Sequence, residues 1–143
     1  MTVRAILSLK GREVTTVSPE ITLQEAAKIL SEHRIGALVI TSVEMKIAGI
    51  ISERDIVRAI AQRGEGALNQ PVKEFMTKSV VTCAPEDNMN FVMTRMTAGR
   101  FRHLPVVLDG RLDGIISIGD VVKFRVAEME REHEALKQYI ATA

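Results

Sequence analysis

The sequence predicts an α+β fold built from two like units in tandem, each running strand, helix, strand, strand, helix, with an extended helix at the C-terminus. Three observations carry this expectation. The run GIISERDIV from Gly49 returns as GIISIGDVV from Gly114. Upstream, Pro19 matches Pro85 (85 − 19 = 66), with Thr16 matching Thr82 and Leu30 matching Met96 at the same offset. The offset falls by one later in the repeat (114 − 49 = 65), so the second copy has lost a residue in a turn. An internal repeat of this kind implies two similar units packed on each other, with any site occurring in two related versions. Finally, segments with apolar residues at helical spacing alternate with short, wholly apolar runs, the pattern of helices covering buried strands.

The first copy begins after a lead-in, VRAIL from Val3. Val14 to Val17 is short and β-branched, and Pro19 ends it. Thr22-Leu-Gln-Glu25 fits a capping box. Leu23, Ala26, Ala27 and Leu30 then give one apolar helix face, and His33-Arg34 places cations where the helix dipole favours them. Ala37 to Ile40 is a buried strand, a turn follows around Glu44, and Lys46 to Ile51 forms the return strand. Ser52 caps the next helix, with Ile56, Val57 and Ile60 inward. Residues 62–71 carry Gly64, Gly66, Asn69 and Pro71 and serve as a linker. A second lead-in, VKEFM from Val72, resembles the first. In the second copy Val81 to Cys83 is the opening strand and Asn88 takes the cap position of Thr22. Met89, Val92, Met93 and Met96 form the helical stripe, and Leu104 to Leu108 the buried strand. Asp109-Gly110 is a two-residue hairpin turn. Leu112 to Ser117 returns, and Ser117 caps a helix running from about Ile118 to about Tyr139. The expected domains are 1–62 with its lead-in, a linker at 63–71, a second unit at 72–126, and a helical extension at 127–143. The extension carries a thin apolar stripe, Val121, Val122, Met129, Leu136 and Ile140, beside the charged run EMEREHE. It fits either a solvated helix end or a dimer-contact arm.

Composition narrows the function classes. Of the 143 residues, 46% are hydrophobic but only 3% aromatic, with no Trp, so the core is aliphatic. A net charge of +1 with interspersed signs argues against a nucleic-acid binder. The single cysteine, Cys83, excludes an intramolecular disulfide and suits a reducing cytosol. The N-terminus has no long apolar run with a small-residue cleavage site, and no apolar run approaches the roughly 20 residues that cross a bilayer. The expectation is a cytoplasmic protein with no membrane contact. Catalytic chemistry finds little support. Cys83 lacks a neighbouring base, the three histidines have no metal-ligand spacing, and the Gly-rich phosphate loops are absent.

Two features stand out. The first is Ser-x-x-Asp, at Ser52 to Asp55 and again at Ser117 to Asp120, each after Gly-Ile-Ile and each opening a helix. Ordinary capping accounts for one such motif. Its recurrence suggests something more: a helix N-terminus at a strand end suits anionic or hydroxylated ligands, and a carboxylate there accepts from a sugar diol. The second is the cluster Arg100 to Pro105. Arg102 and His103 enter a strand that is otherwise apolar, which fits either a solvated strand entry or phosphate recognition. The first copy has Gly36, Ala37 and Leu38 there, without cation or proline, so the two sites are not equivalent. Arg54 and Arg58, beside Asp55, either supply charge across the interface between units or are plain exposed helix positions.

The tandem unit, with Gly-Ile-Ile-Ser-x-x-Asp closing each copy and His-Leu-Pro-Val in the second, closely resembles the CBS domain, here as a pair (a Bateman module) over roughly Val3 to Val126. The long charged helix resembles that of small stand-alone bacterial members. The resemblance implies two units related by a pseudo-twofold axis, with clefts between them that bind adenosine ligands: AMP, ADP, ATP, NAD(H) or S-adenosylmethionine, none of them a required cofactor. It implies that Asp120 and Asp55 hold the ribose, with Ser117 and Ser52 beside ribose or phosphate. Thr82-Cys83 and Thr16-Val17 would border the base. Arg102, His103, Leu104 and Pro105 would line the base and reach phosphate, with Gly36, Ala37 and Leu38 as their weaker counterpart. The cleft of Asp120 is expected to bind a phosphorylated nucleotide better, with Arg54 or Arg58 reaching in. The resemblance further implies a homodimer, a regulatory rather than enzymatic role, and a regulated partner protein. The alternative is a structural or interaction homodimer that keeps the fold without a ligand.

Overall fold

The computed structural model describes residues 1–142. Its elements are α1 (Val3–Lys10), β1 (Thr16–Val17), α2 (Leu23–His33), β2 (Ala37–Thr41), β3 (Ile47–Ser52) and α3 (Glu53–Arg63), then α4 (Met89–Gly99), β4 (His103–Leu108), β5 (Arg111–Ser117) and α5 (Ile118–Thr142). Short 3-10 turns lie at Val43–Met45, Glu65–Asn69 and Val72–Glu74.

The helices begin where the caps predict. The Thr22 hydroxyl accepts from the Glu25 amide and the Asn88 side chain from the Phe91 amide. Both α2 and α4 end on an arginine in the left-handed region, Arg34 and Arg100. In the first unit β2 pairs with β1 in parallel (Val17 with Ile40) and with β3 antiparallel. In the second, β4 pairs antiparallel with β5, and the Asp109-Gly110 turn has both residues at positive φ, as the hairpin demands. The residue lost from the second copy is in this hairpin. Thr41 faces Ile47 across the longer first turn, whereas Val107 faces Leu112 across the shorter second. The expected strand at Val81 to Cys83 shrinks to one parallel bridge, Cys83 to Val106, the counterpart of Val17 to Ile40.

The lead-ins cross between units. α1, expected only as a short segment, is a capped helix, and its Val3, Ile6 and Leu7 are buried in the core of the second repeat with Met96, Leu104 and Ile116. Val72, with Phe75 and Met76 packed beside it, joins the core of the first repeat around Leu23, Leu38, Ile40 and Ile51. The backbone bonds repeat the symmetry. Val3 N donates to Asp87 O and Arg4 N to Pro85 O; likewise Val72 N donates to Ile21 O and Lys73 N to Pro19 O. The crossing explains the glycine before each Ile-Ile. A Cβ on Gly49 would lie 2.5 Å from Met76 Sδ, and one on Gly114 2.8 Å from Leu7 Cδ2. At each glycine the close approach is made by the other repeat's lead-in. Apolar burial supplies the cohesion of both cores, at about 25 cal/mol per Å², and neither contains a buried polar residue.

Candidate functional site

Each Ser-x-x-Asp sits where a strand of the sheet ends and the next helix begins. At the first, Asp55 Oδ2 accepts from the Ser52 amide (2.8 Å) and hydroxyl (3.1 Å), while the Asp55 amide donates to Ser52 Oγ. The other carboxylate oxygen, Oδ1, has among the described residues only the Arg58 guanidinium, at 3.6 Å. At the second, Asp120 Oδ2 accepts from the Ser117 amide at 2.8 Å and the Asp120 amide donates to Ser117 Oγ. Here a further group intervenes. Lys10, the last residue of α1, donates from Nζ to Asp120 Oδ2 at 2.5 Å and to the Ile115 carbonyl at 2.8 Å. Burial opposes the charge on Asp120, but Lys10 and the Ser117 amide outweigh it and hold the carboxyl below its ordinary range.

A cavity of about 650 Å³ opens between the repeats on the Asp55 side. Of the residues singled out from the sequence, Ser52, Arg54, Asp55, Arg58, Gly36, Ala37, Arg102, His103 and Ser117 line it. The N-termini of α3 and α5 both reach it, through Ser52 and Glu53 on one side and Ser117 to Gly119 on the other. Four arginines, Arg54, Arg58, Arg100 and Arg102, face two carboxylates, Glu53 and Asp55, giving the walls a cationic balance.

Other expected positions lie outside this cavity. Asp120 does not line it; its carboxylate is held by Lys10. Leu38 and Leu104 are fully buried, and Pro105 is buried as well, so their side chains serve the cores. Thr16 and Val17 form β1 on the edge of the first sheet, and the Thr82 carbonyl accepts from Arg95 at 3.4 Å. Cys83 is buried, and burial, with Asp87 nearby, pushes its thiol up to about 12, far from a reactive thiolate. Thr82-Cys83 and Thr16-Val17 do not line this cavity, whereas Thr77, Ser79, Val80 and Val81, in the segment ahead of the Cys83 bridge, do. Arg100 and Phe101 also join the wall. The cluster beginning at Arg100 was the signal for these two; nothing in the sequence distinguished Ser79 to Val81.

His103 sits at the junction of the repeats. Burial lowers its pKa most, with Glu53 and Asp120 pulling the other way. A Cβ on Gly36 would lie 3.2 Å from the His103 ring. The repeat that lacks the cation therefore supplies the space the histidine occupies, which is why the two strand entries differ.

Two pseudo-symmetric β-α-β-β-α units that exchange lead-ins and enclose a polar cleft define a tandem-repeat module. The CBS domain family model matches residues 4–62 and again 72–127. The chain belongs to the CBS domain family, as a pair. The CBS-domain protein ATU1752 from Agrobacterium tumefaciens is 49% identical, with a TM-score of 0.85 over 87% of this chain and 99% of that one. The CBS domain pair of protein MJ0100, in complex with 5'-methylthioadenosine and S-adenosyl-L-methionine, is 30% identical with a TM-score of 0.79, covering 90% of this chain and 98% of that one. Protein PAE2072 from Pyrobaculum aerophilum, complexed with AMP, is 29% identical with a TM-score of 0.75, covering 84% and 89%. The mitochondrial CBS-domain protein CBSX3 of Arabidopsis thaliana is 37% identical over 123 residues, 83% of this chain, which spans only 60% of that relative's length. Among the described residues, no helix is long and apolar enough to cross a membrane.

Proposed function

We propose that this chain is a regulatory module that binds one phosphate-bearing adenosine ligand, AMP, ADP, ATP or NAD(H), in the cleft headed by Asp55. The observation that carries this reading is the cavity that Asp55 lines together with Arg54, Arg58, Arg100 and Arg102. A ribose diol would donate to Oδ1, which among the described residues meets Arg58 alone, at 3.6 Å. Phosphate oxygens would accept from the arginines and from the α3 or α5 N-terminus. Similarity to MJ0100 and PAE2072 supports an adenosine ligand. The cationic walls favour a phosphorylated one over S-adenosylmethionine, whose sulfonium carries positive charge.

The preference for the Asp120 side, expected from the sequence, gives way here to the Asp55 side, because Asp55 lines the cavity and Asp120 does not, its Oδ2 being engaged by Lys10. Ligand occupancy would change the relation of the two repeats, and it acts only through its difference in affinity between the two arrangements. A partner, or a second copy of the chain in a homodimer, would read that change. Binding rather than catalysis fits the site, since burial pushes the Cys83 thiol up and the Ser52–Asp55 pair is engaged in capping its own helix. Titration calorimetry with AMP, ATP, NAD(H) and S-adenosylmethionine tests the proposal: the phosphorylated ligands bind, the sulfonium binds more weakly, and absence of heat from all of them at millimolar concentration refutes it. The Lys10 contact at Asp120 favours a second reading, a ligand-free interaction module. That reading expects no thermal shift with any nucleotide.

A further inference from the structure

We propose that α5 joins a second copy of this chain in a parallel, in-register coiled coil. This is independent of what the cleft binds. α5 spans 25 residues, about 37 Å at 1.5 Å per residue. Only its beginning is held: Val121 and Phe124 enter the second core, and from Met129 to Thr142 every residue is exposed. Apart from Tyr139, the large apolar residues that the core leaves out are Ile118, Val122, Val126, Met129, Leu136 and Ile140, all between 42% and 66% exposed. With His133 filling the gap, they advance along the helix in steps of four, four, three, four, three and four. From Val126 onward this is the alternation of a coiled-coil seam. At 100° per residue all seven fall within an arc of about 80°, about a third of a turn from the face that packs on the core. The stripe is continuous from the folded body to the end of the helix.

The flanking charges name the occupant. Taking Val126, His133 and Ile140 as one set of seam positions and Met129 and Leu136 as the other, Arg125 and Glu132 border one edge and Glu130 and Lys137 the other. In a parallel, in-register pair, each residue of the first edge faces the residue five positions later on the partner. Arg125 then meets the partner's Glu130, and Glu132 meets the partner's Lys137. Twofold symmetry repeats both, so the four cross-helix pairs are all attractive. The stripe is therefore complementary to itself in this orientation, and His133 is the one polar group in the seam.

The test uses the full chain. Sedimentation equilibrium should show a dimer, weakened about tenfold or more by the double substitution Met129→Lys with Leu136→Lys; circular dichroism would verify that this variant stays folded. His133→Leu should tighten the dimer. Leu136→Cys should form a cross-linked dimer under mild oxidation, because in-register parallel helices bring the two sulfurs together. Gln138→Cys, on the far side of the helix, should not, and the buried Cys83 does not compete. A monomeric wild-type chain, a dimer indifferent to the double substitution, or equal cross-linking at both positions would overturn the proposal.

Discussion

Asp55 and Asp120 stand at the same step of the two repeats and share the same two amide bonds with their serines, yet their environments diverge through Lys10. Both partners of that ion pair are largely covered, at 24% and 19% side-chain exposure, so the contact is less screened than a surface pair. Replacing Lys10 with Met should cost about 2 kcal/mol in urea unfolding, by leaving Asp120 charged and short of a donor. His103 gives a pH dependence of defined sign. Its pKa in the folded chain is below the ordinary value, so the unfolded chain binds the extra proton first. Its stabilisation is therefore complete above about pH 6.5 and lost as pH falls below that toward the lowered folded value. The depressed Asp120 adds a loss in the same direction at still lower pH, below the carboxylate's ordinary 3.8. Thermal melts from pH 8 to 5 should show a decline that His103→Gln flattens. Sequence spacing singled out both aspartates and the Arg102-His103 pair, and of these Asp55, Arg102 and His103 line the cavity. It did not reveal Lys10, because a lysine closing a short helix is ordinary dipole chemistry and its partner lies 110 residues away.

The elements themselves were largely legible, since caps and apolar spacing are local signals. Thr22, Ser52, Asn88 and Ser117 all accept from the amide three residues on, as their sequence positions predict. Asn88→Ala should accordingly lower stability by about 1 kcal/mol, readable in chemical denaturation. Two elements were misjudged for non-local reasons. α1 is a helix because its apolar face has the second core to cover, and a lead-in motif read alone does not show that partner. The strand at Val81 to Cys83 is cut to a bridge because only one residue of the segment pairs with β4, while Val80 and Val81 face the cavity. The same packing sets a test for the glycines. Gly114→Val should destabilise by about 2 kcal/mol, because the added carbons meet Leu7 of α1.

At the scale of the whole molecule, the crossed lead-ins make the two repeats interdependent. Each core is completed by a helix or turn from the other side of the pseudo-twofold axis. The repeat in the sequence announced two units, but it did not announce the exchange, which depends on contacts made only when both are folded. The same interdependence gives the cleft its two walls, Asp55 from one repeat and Arg100 to His103 from the other. A ligand spanning them would press on the relative position of the repeats. The measurement that reaches this most directly is calorimetric titration of AMP and ATP into the wild-type chain and into Asp55→Ala and Asp120→Ala, with folding verified by circular dichroism. One nucleotide should bind per wild-type chain, Asp55→Ala should abolish that binding, and Asp120→Ala should retain it. Unchanged affinity in Asp55→Ala, or loss confined to Asp120→Ala, would contradict the assignment of the site.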